Sequence, residues 1–249
     1  MGLPCITSRL WRGGSFAANA ASPAVAVTVT RESDLVGWWK LDETSGTTVS
    51  DSSDTANDGA ADNMTDADWV EGKNGNALDF DGTNDSVIIG SDSDYPTGDF
   101  SVSMWVYRVS GYPVFPPIMQ SQRYYQAGYN GNWTFRTQAS KLEFYAYNGT
   151  GAIGNKSVAI TMNDDTWYHV GFVFSDSGNT IELYLDGSSL GTGAISGTLD
   201  DAAASGVYVG RDRTSFYWKG KIDDVRIYNV ALSDSNMSDI HGSGDGDWS

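Results

Sequence analysis

The chain is predicted to be all-β: a two-sheet antiparallel sandwich that ends in one short helix. Three observations carry that expectation. Short runs hold apolar residues at alternate positions, the signature of strands with one buried face. Gly, Asp, Asn and Ser turns separate the runs, and 29 of the 249 residues are Gly. No helical period occurs before Ser233. A hydrophobic content of 40% with 12% aromatics suffices for a large core, and the length suits one all-β domain.

Taken in order, residues 1–34 differ from the rest. They carry Arg9, Arg12 and Arg31 against Glu32 and Asp34 in a chain of net charge −17. Residues 24–30, AVAVTVT, have strand character, so the segment reads as an N-terminal extended arm. The sandwich is expected over 35–242, with strands near 35–41, 76–80, 85–89, 100–108, 131–137, 141–147, 167–174, 180–186, 206–210 and 216–228. Ser233 is the predicted N-cap of the helix, with Asp234 at the positive end of its dipole. Met237 and Ile240, three apart, can both face the sheet. His241 would cap the last carbonyls, and 243–249 would be a tail.

Four motifs stand out in sequence: LVGWWKLDE from Leu35, ALDFDGTNDSV from Ala77 leading to FSVSMWV from Phe100, WYHVGFVF from Trp167 followed by IELYLDG from Ile181, and KGKIDDVRIYNVALS from Lys219. Together they resemble the concanavalin A-like lectin/glucanase superfamily, and within it the laminin G-like domains, over residues 35–241. The resemblance implies a jelly-roll topology. It also implies a structural Ca²⁺ between first and last strands. The matching positions are Asp42 and Asp224, with Asp51 in the following loop. Asp-rich loops offer the hard oxygen ligands that Ca²⁺ prefers. The competing reading is that these carboxylates bond the backbone amides of turns.

Composition limits the function classes. Of 32 acidic residues only Glu32, Glu43, Glu71, Glu143 and Glu182 are Glu. The remaining Asp excess belongs mostly to loops, and it disfavours nucleic acid as a partner because phosphate would be repelled. No apolar run is long enough to span a membrane. One Cys excludes an intramolecular disulfide. Residues 1–25 contain no clear signal peptide.

Catalytic signatures are missing. Glucanases of the resembled superfamily carry two Glu residues close together on one strand. Here no two lie within ten positions of each other. The match to G-x-S-x-G at Gly187–Gly191 follows a strand but precedes more Gly and Thr, so it reads as a hairpin turn rather than a nucleophile elbow. His169 sits within a strand, as packed histidines do, and the two His and one Cys make no zinc constellation.

A glycan site is the second binding hypothesis. Sugars stack apolar faces on aromatic rings, and the candidate loop aromatics are Tyr124, Tyr125, Tyr129, Trp133, Tyr217 and Trp218. Arg211 and Arg213 could meet an acidic sugar. The strand aromatics Phe144, Tyr145 and Tyr147 read as core and sheet surface instead. The expected function is a non-catalytic module. The first use is as a structural or decoration subunit of an assembly such as a virus particle, docked on neighbouring subunits through residues 1–34 and oligomeric or assembly-bound. The alternative is a carbohydrate-binding or adhesion module of a secreted or surface protein, and a polysaccharide lyase or hydrolase is the remote third. The matching location is a virion or an extracellular surface.

Overall fold

The computed structural model describes residues 32–90, 95–111, 116–123, 133–138, 140–148, 151–199, 204–212 and 216–243. The predicted arm therefore lies outside the described residues except for its last three, and the tail except for Ser243.

The strands run β1 Leu35–Trp39, β2 Thr48–Val49, β3 Gly59–Asp62, β4 Trp69–Glu71, β5 Asn76–Asp81, β6 Ser86–Ile89, β7 Phe100–Arg108 and β8 Pro117–Arg123. They continue as β9 Trp133–Gln138, β10 Lys141–Asn148, β11 Gly151–Ala159, β12 Thr166–Ser175, β13 Thr180–Leu185, β14 Ser188–Ala194, β15 Ala204–Val209 and β16 Lys219–Tyr228, before helix α1 at Asp234–Gly242. The first sheet has the order β14-β13-β12-β7-β16-β5-β4, with β1 also paired to β16; the second has β11-β10-β9-β8-β15-β6-β3-β2. The pairings are antiparallel, and order and sequence differ as they do in a jelly roll. The expected fold class is the one observed.

Alternation places the core between the sheets. In β12, Tyr168, Val170, Phe172 and Phe174 join the main core, whereas Val173 faces the helix. Phe172 is the pivot. Its ring lies 5.4 Å from Phe100 of its own sheet, and 5.2, 5.2 and 4.4 Å from Trp133, Phe135 and Phe144 of the other. Edge-on and tilted pairs of this kind are favourable beyond the area they bury.

A smaller apolar layer sits on the outside of the first sheet. Met237 and Ile240 of α1 pack there with Val173, Tyr184, Tyr228 and Leu232. The space under the helix comes from Gly171, where a Cβ would stand 3.2 Å from Met237 Cε. Ser233 caps the helix as predicted: its Oγ accepts from the Asn236 amide, and Asn236 Oδ1 accepts from the Ser233 amide in return. His241 does not cap. Its ring packs on Trp105 at 5.3 Å, and the Ser243 amide and hydroxyl meet the carbonyls of Asp239 and Ile240 instead.

Six strands were not foreseen: β2, β3, β4, β8, β11 and β14. The turn at Asp186–Gly187, with φ of 48° and 71°, closes the β13–β14 hairpin. It shows the G-x-S-x-G stretch to be strand and turn.

Candidate functional site

The sequence-predicted ligand residues do not converge. Tyr124, Tyr125, Tyr129 and Arg213 lie outside the described residues. Trp133 and Trp218 are corrections. They are 3% and 0% exposed, part of the main core, and a ring covered on both faces cannot stack on a ligand. Arg211 and Tyr217 pair through an isolated bridge, and the Arg211 guanidinium lies 4.0 Å over the Tyr208 ring.

Two of the three predicted calcium ligands come together and the third does not. Asp51 is spent on its own loop. Oδ1 accepts from the amides of Trp38 and Ser53, both at 2.8 Å. Oδ2 accepts from Ser53 Oγ and the Asn57 amide. Burial pushes this carboxyl up, but the amides of Trp38, Ser53 and Asn57 outweigh it and hold it below the ordinary range. This is the turn-bonding role that competed with calcium in the sequence, and it takes Asp51 out of the ligand set.

Asp42 and Asp224, with Lys40 and Asn74, line a cavity of about 10 Å³. Asp224 occupies a left-handed position, φ 52°, in the β16 bulge. Arg226 grips both its oxygens at 3.0 Å, and both side chains are buried. Asp223 beside it escaped sequence reasoning. It is fully buried; Oδ2 accepts from the Lys73 and Asn74 amides, while Oδ1 has no partner. Burial raises its pKa to about 7 against those two amides, helped by the charges of Asp224 and Asp42. Among the described residues, no three His, Cys, Asp or Glu side chains form a metal cluster.

The arrangement with the most chemistry lies on the outer face of the second sheet. Leu142, Phe144 and Ala146 of β10 enter the core, so Glu143, Tyr145 and Tyr147 point the other way. Register sets Glu143 opposite Arg136 on β9 and Ser157 on β11, and Tyr145 opposite Thr134 and Asn155. Glu143 is only 2% exposed although it stands on an outer face. Arg136 Nε donates to its Oε2 at 3.1 Å and Ser157 Oγ to its Oε1 at 2.7 Å. With its side-chain amide turned so that nitrogen rather than oxygen faces the carboxylate, Gln138 donates to Oε2 at 2.8 Å.

That carboxylate pins the guanidinium, whose carbon lies 4.7 Å over the Tyr145 ring. Tyr145 and Tyr147 are both half-buried, 6.5 Å apart and within 13° of parallel. The result is a fixed aromatic strip with a cation along one side. Among the described side chains on this face, Arg136 and Lys141 stand against the single acid Glu143, in a chain of net charge −17. Flat apolar groups can stack on this strip, and oxygens can bond its rim. A single carboxylate that already accepts three donors cannot supply both the acid and the nucleophile of glycoside cleavage.

A family model described as the concanavalin A-like lectin/glucanases superfamily matches residues 81–238. Solved structures match across most of the chain. Domain 4 of AbnA, a GH43 extracellular arabinanase from Geobacillus stearothermophilus, in complex with arabinotriose, gives a TM-score of 0.65 at 16% identity, covering 84% of this chain and 98% of that one. The ligand binding domain of botulinum neurotoxin serotype D, in complex with N-acetylneuraminic acid, gives 0.64 at 14% identity, with 85% and 51% covered, so the chain spans about half of it. A Trypanosoma rangeli sialidase mutant displaying trans-sialidase activity gives 0.63 at 15% identity, with 86% and 33% covered. At these identities the likeness is one of fold. No curated protein matches the chain.

Proposed function

The chain belongs to the concanavalin A-like lectin/glucanases superfamily, and we propose that within it this protein is a non-catalytic carbohydrate-binding module whose binding face is the outer surface of β8 to β11. One observation carries the reading: the Tyr145–Tyr147 strip with Arg136 fixed beside it by a buried Glu143. Sugar rings present an apolar C–H face and a rim of hydroxyls. Half-exposed tyrosines match the first, and Thr134, Asn155 and the guanidinium match the second. Arg136 and Lys141 on this face favour glycans that carry carboxylates. The fold likeness to domains solved with arabinotriose and with N-acetylneuraminic acid supports the class of ligand.

The test is calorimetric titration with acidic oligosaccharides, comparing wild type with Tyr145→Ala/Tyr147→Ala. Loss of about 1.4 kcal/mol or more, a tenfold weakening, is the expected result. Affinity untouched in the double variant would remove this face from consideration. The assembly role expected from the sequence depends on residues 1–34, of which 1–31 lie outside the described residues.

Calcium enters the reading at a reduced site. Asp42, Asp224 and Asn74 offer oxygens to a hard cation at the small cavity, which would share Asp224 with Arg226 and displace the Lys40 ammonium that also lines it. Thermal unfolding in CaCl₂ and in EDTA tests this part: an unchanged midpoint rejects it.

A further inference from the structure

Where the described chain begins, a cleft of about 490 Å³ opens at the end of the sandwich. That volume falls within the range of about 300–1,000 Å³ usual for small-molecule sites. It lies at β1 and the exit of β16, in the first sheet, away from the Tyr145 strip in the second.

Its walls differ in chemistry. Leu35, Val36, Tyr95 and Pro96 give an apolar side; Thr55, Asn57 and Asn229 give an amide and hydroxyl side. Among the described residues, none that lines the cleft is charged, in a chain with 32 acids and 15 Lys and Arg. The polar side is fixed in advance. Thr55 Oγ1 and Asn57 Nδ2 both donate to the Val36 carbonyl, at 2.6 and 3.0 Å. The Asn57 amide donates to Asp51 Oδ2, and Trp39 Nε1 donates to the Asn57 carbonyl. The Asn229 amide is held by the Asp34 carbonyl, while its side chain is exposed. This bonding explains why Asp51 is committed to the loop: it holds Asn57 against the first strand.

We propose that this cleft is a second saccharide site, one that takes an uncharged sugar unit. The apolar wall receives the C–H face, and the fixed amides and hydroxyl meet the hydroxyl rim. With no cation among the described lining residues, an anionic sugar would lose its hydration without a partner there, which disfavours it. The proposal shares with the preceding reading only the ligand class; its residues and its charge preference are its own.

The experiment titrates the full chain with arabinotriose, maltose, cellobiose and lactose, and separately with N-acetylneuraminic acid. Three proteins are compared: wild type, Asn229→Trp to place an indole at the mouth, and Tyr145→Ala/Tyr147→Ala. Circular dichroism confirms that Asn229→Trp folds. At least one neutral probe should bind wild type, weaken about tenfold or more in Asn229→Trp, and hold its affinity in the tyrosine variant. Silence of every neutral probe overturns the proposal, and so does neutral binding unaffected by Asn229→Trp or lost with the tyrosines. Acid binding lost only in the tyrosine variant sustains the sheet-face reading even if the cleft fails. Neutral binding blocked only by Asn229→Trp sustains the cleft even if the face fails.

Discussion

The indole N–H of Trp38 donates to Oδ1 of Asp224 at 2.6 Å, joining the first strand to the last across 186 positions of sequence. Charge surrounds that bond. Arg226 lies 4.5 Å from the centroid of the Trp38 ring and Lys40 lies 4.2 Å from it. Asp224 is thus held by an indole and a guanidinium together, in a left-handed backbone position that Asp tolerates better than most side chains.

The first prediction concerns this knot. Asp224→Asn keeps a side chain suited to φ 52° but removes the charge facing buried Arg226. An uncompensated buried guanidinium costs about 3–5 kcal/mol. Arg226→Met added to Asp224→Asn should recover part of the loss, because it removes the stranded charge. Urea unfolding of the two variants checks both steps, and a double variant less stable than the single one would contradict the account.

The second prediction uses the core pivot. Phe172→Ala removes a fully buried ring in contact with Phe100, Trp133, Phe135 and Phe144. The expected loss is about 3–5 kcal/mol, against less than about 1.5 kcal/mol for a better-fitting apolar swap such as Phe172→Leu. Chemical denaturation gives both values.

Much of the fold was legible because alternation and turn chemistry agreed. Ile222, Val225 and Ile227 announced β16, and Ser233 announced the helix. The unforeseen strands have little such signal: β14 reads SSLGTGA, β11 reads GAIGNKSVA and β8 begins at Pro117. These sequences pair because neighbours supply the register, not because their side chains prefer strands. Trp133 was placed among loop aromatics although Trp133, Phe135 and Thr137 alternate inward, a pattern present in the sequence. The Glu143–Arg136–Tyr145 arrangement was less accessible. It depends on β9 and β10 pairing in one register, and a shift of one residue would send Tyr145 into the core. Tyr-Ala-Tyr against Leu142 and Phe144 was the local clue. The meeting of His169 with His241 left no sequence signal, because it requires α1 to lie across β12.

The third prediction concerns Glu143. Glu143→Gln keeps an acceptor for one donor but releases either Arg136 or Ser157. Arg136 is a quarter exposed, so solvent recovers much of its charge interaction, and the loss should be about 1–2 kcal/mol. Glycan affinity should fall further than stability does, since the guanidinium is no longer fixed over Tyr145. Calorimetry alongside urea unfolding separates the two effects. Equal binding by Glu143→Gln and wild type would show that Arg136 needs no anchor.

The last prediction is a pH dependence in which a buried histidine opposes buried carboxyls. His169 is 1% exposed, its Nδ1 has no partner, and its ring lies 5.2 Å from Trp105 and 5.6 Å from His241. Its backbone amide donates to Asp186 Oδ1, and Lys73 lies over the far side of the Trp105 cluster. Burial first, then the charges of His241 and Arg226, lower its pKa to about 3 from 6.5. Between those values the unfolded chain binds a proton that the folded chain refuses. Stability from this group is therefore complete above pH 6.5 and is lost as pH falls towards 3, by at most about 1.4 kcal/mol per pH unit. Asp85 acts in reverse. Burial raises its pKa to about 6 from 3.8, with the Asp81 amide opposing and the Asp81 and Asp68 charges assisting. The folded chain holds the extra proton in that window, so this group's contribution falls as pH rises from 3.8 to 6. Between pH 4 and 6 the His169 slope opposes those of Asp85 and Asp223 in wild type. Asp223, raised to about 7, adds to the Asp85 slope in this window, so His169→Phe should leave stability falling more steeply with pH and Asp85→Asn should leave it nearly level. Thermal midpoints at half-unit intervals resolve the signs, and parallel curves for the two variants would refute both assignments.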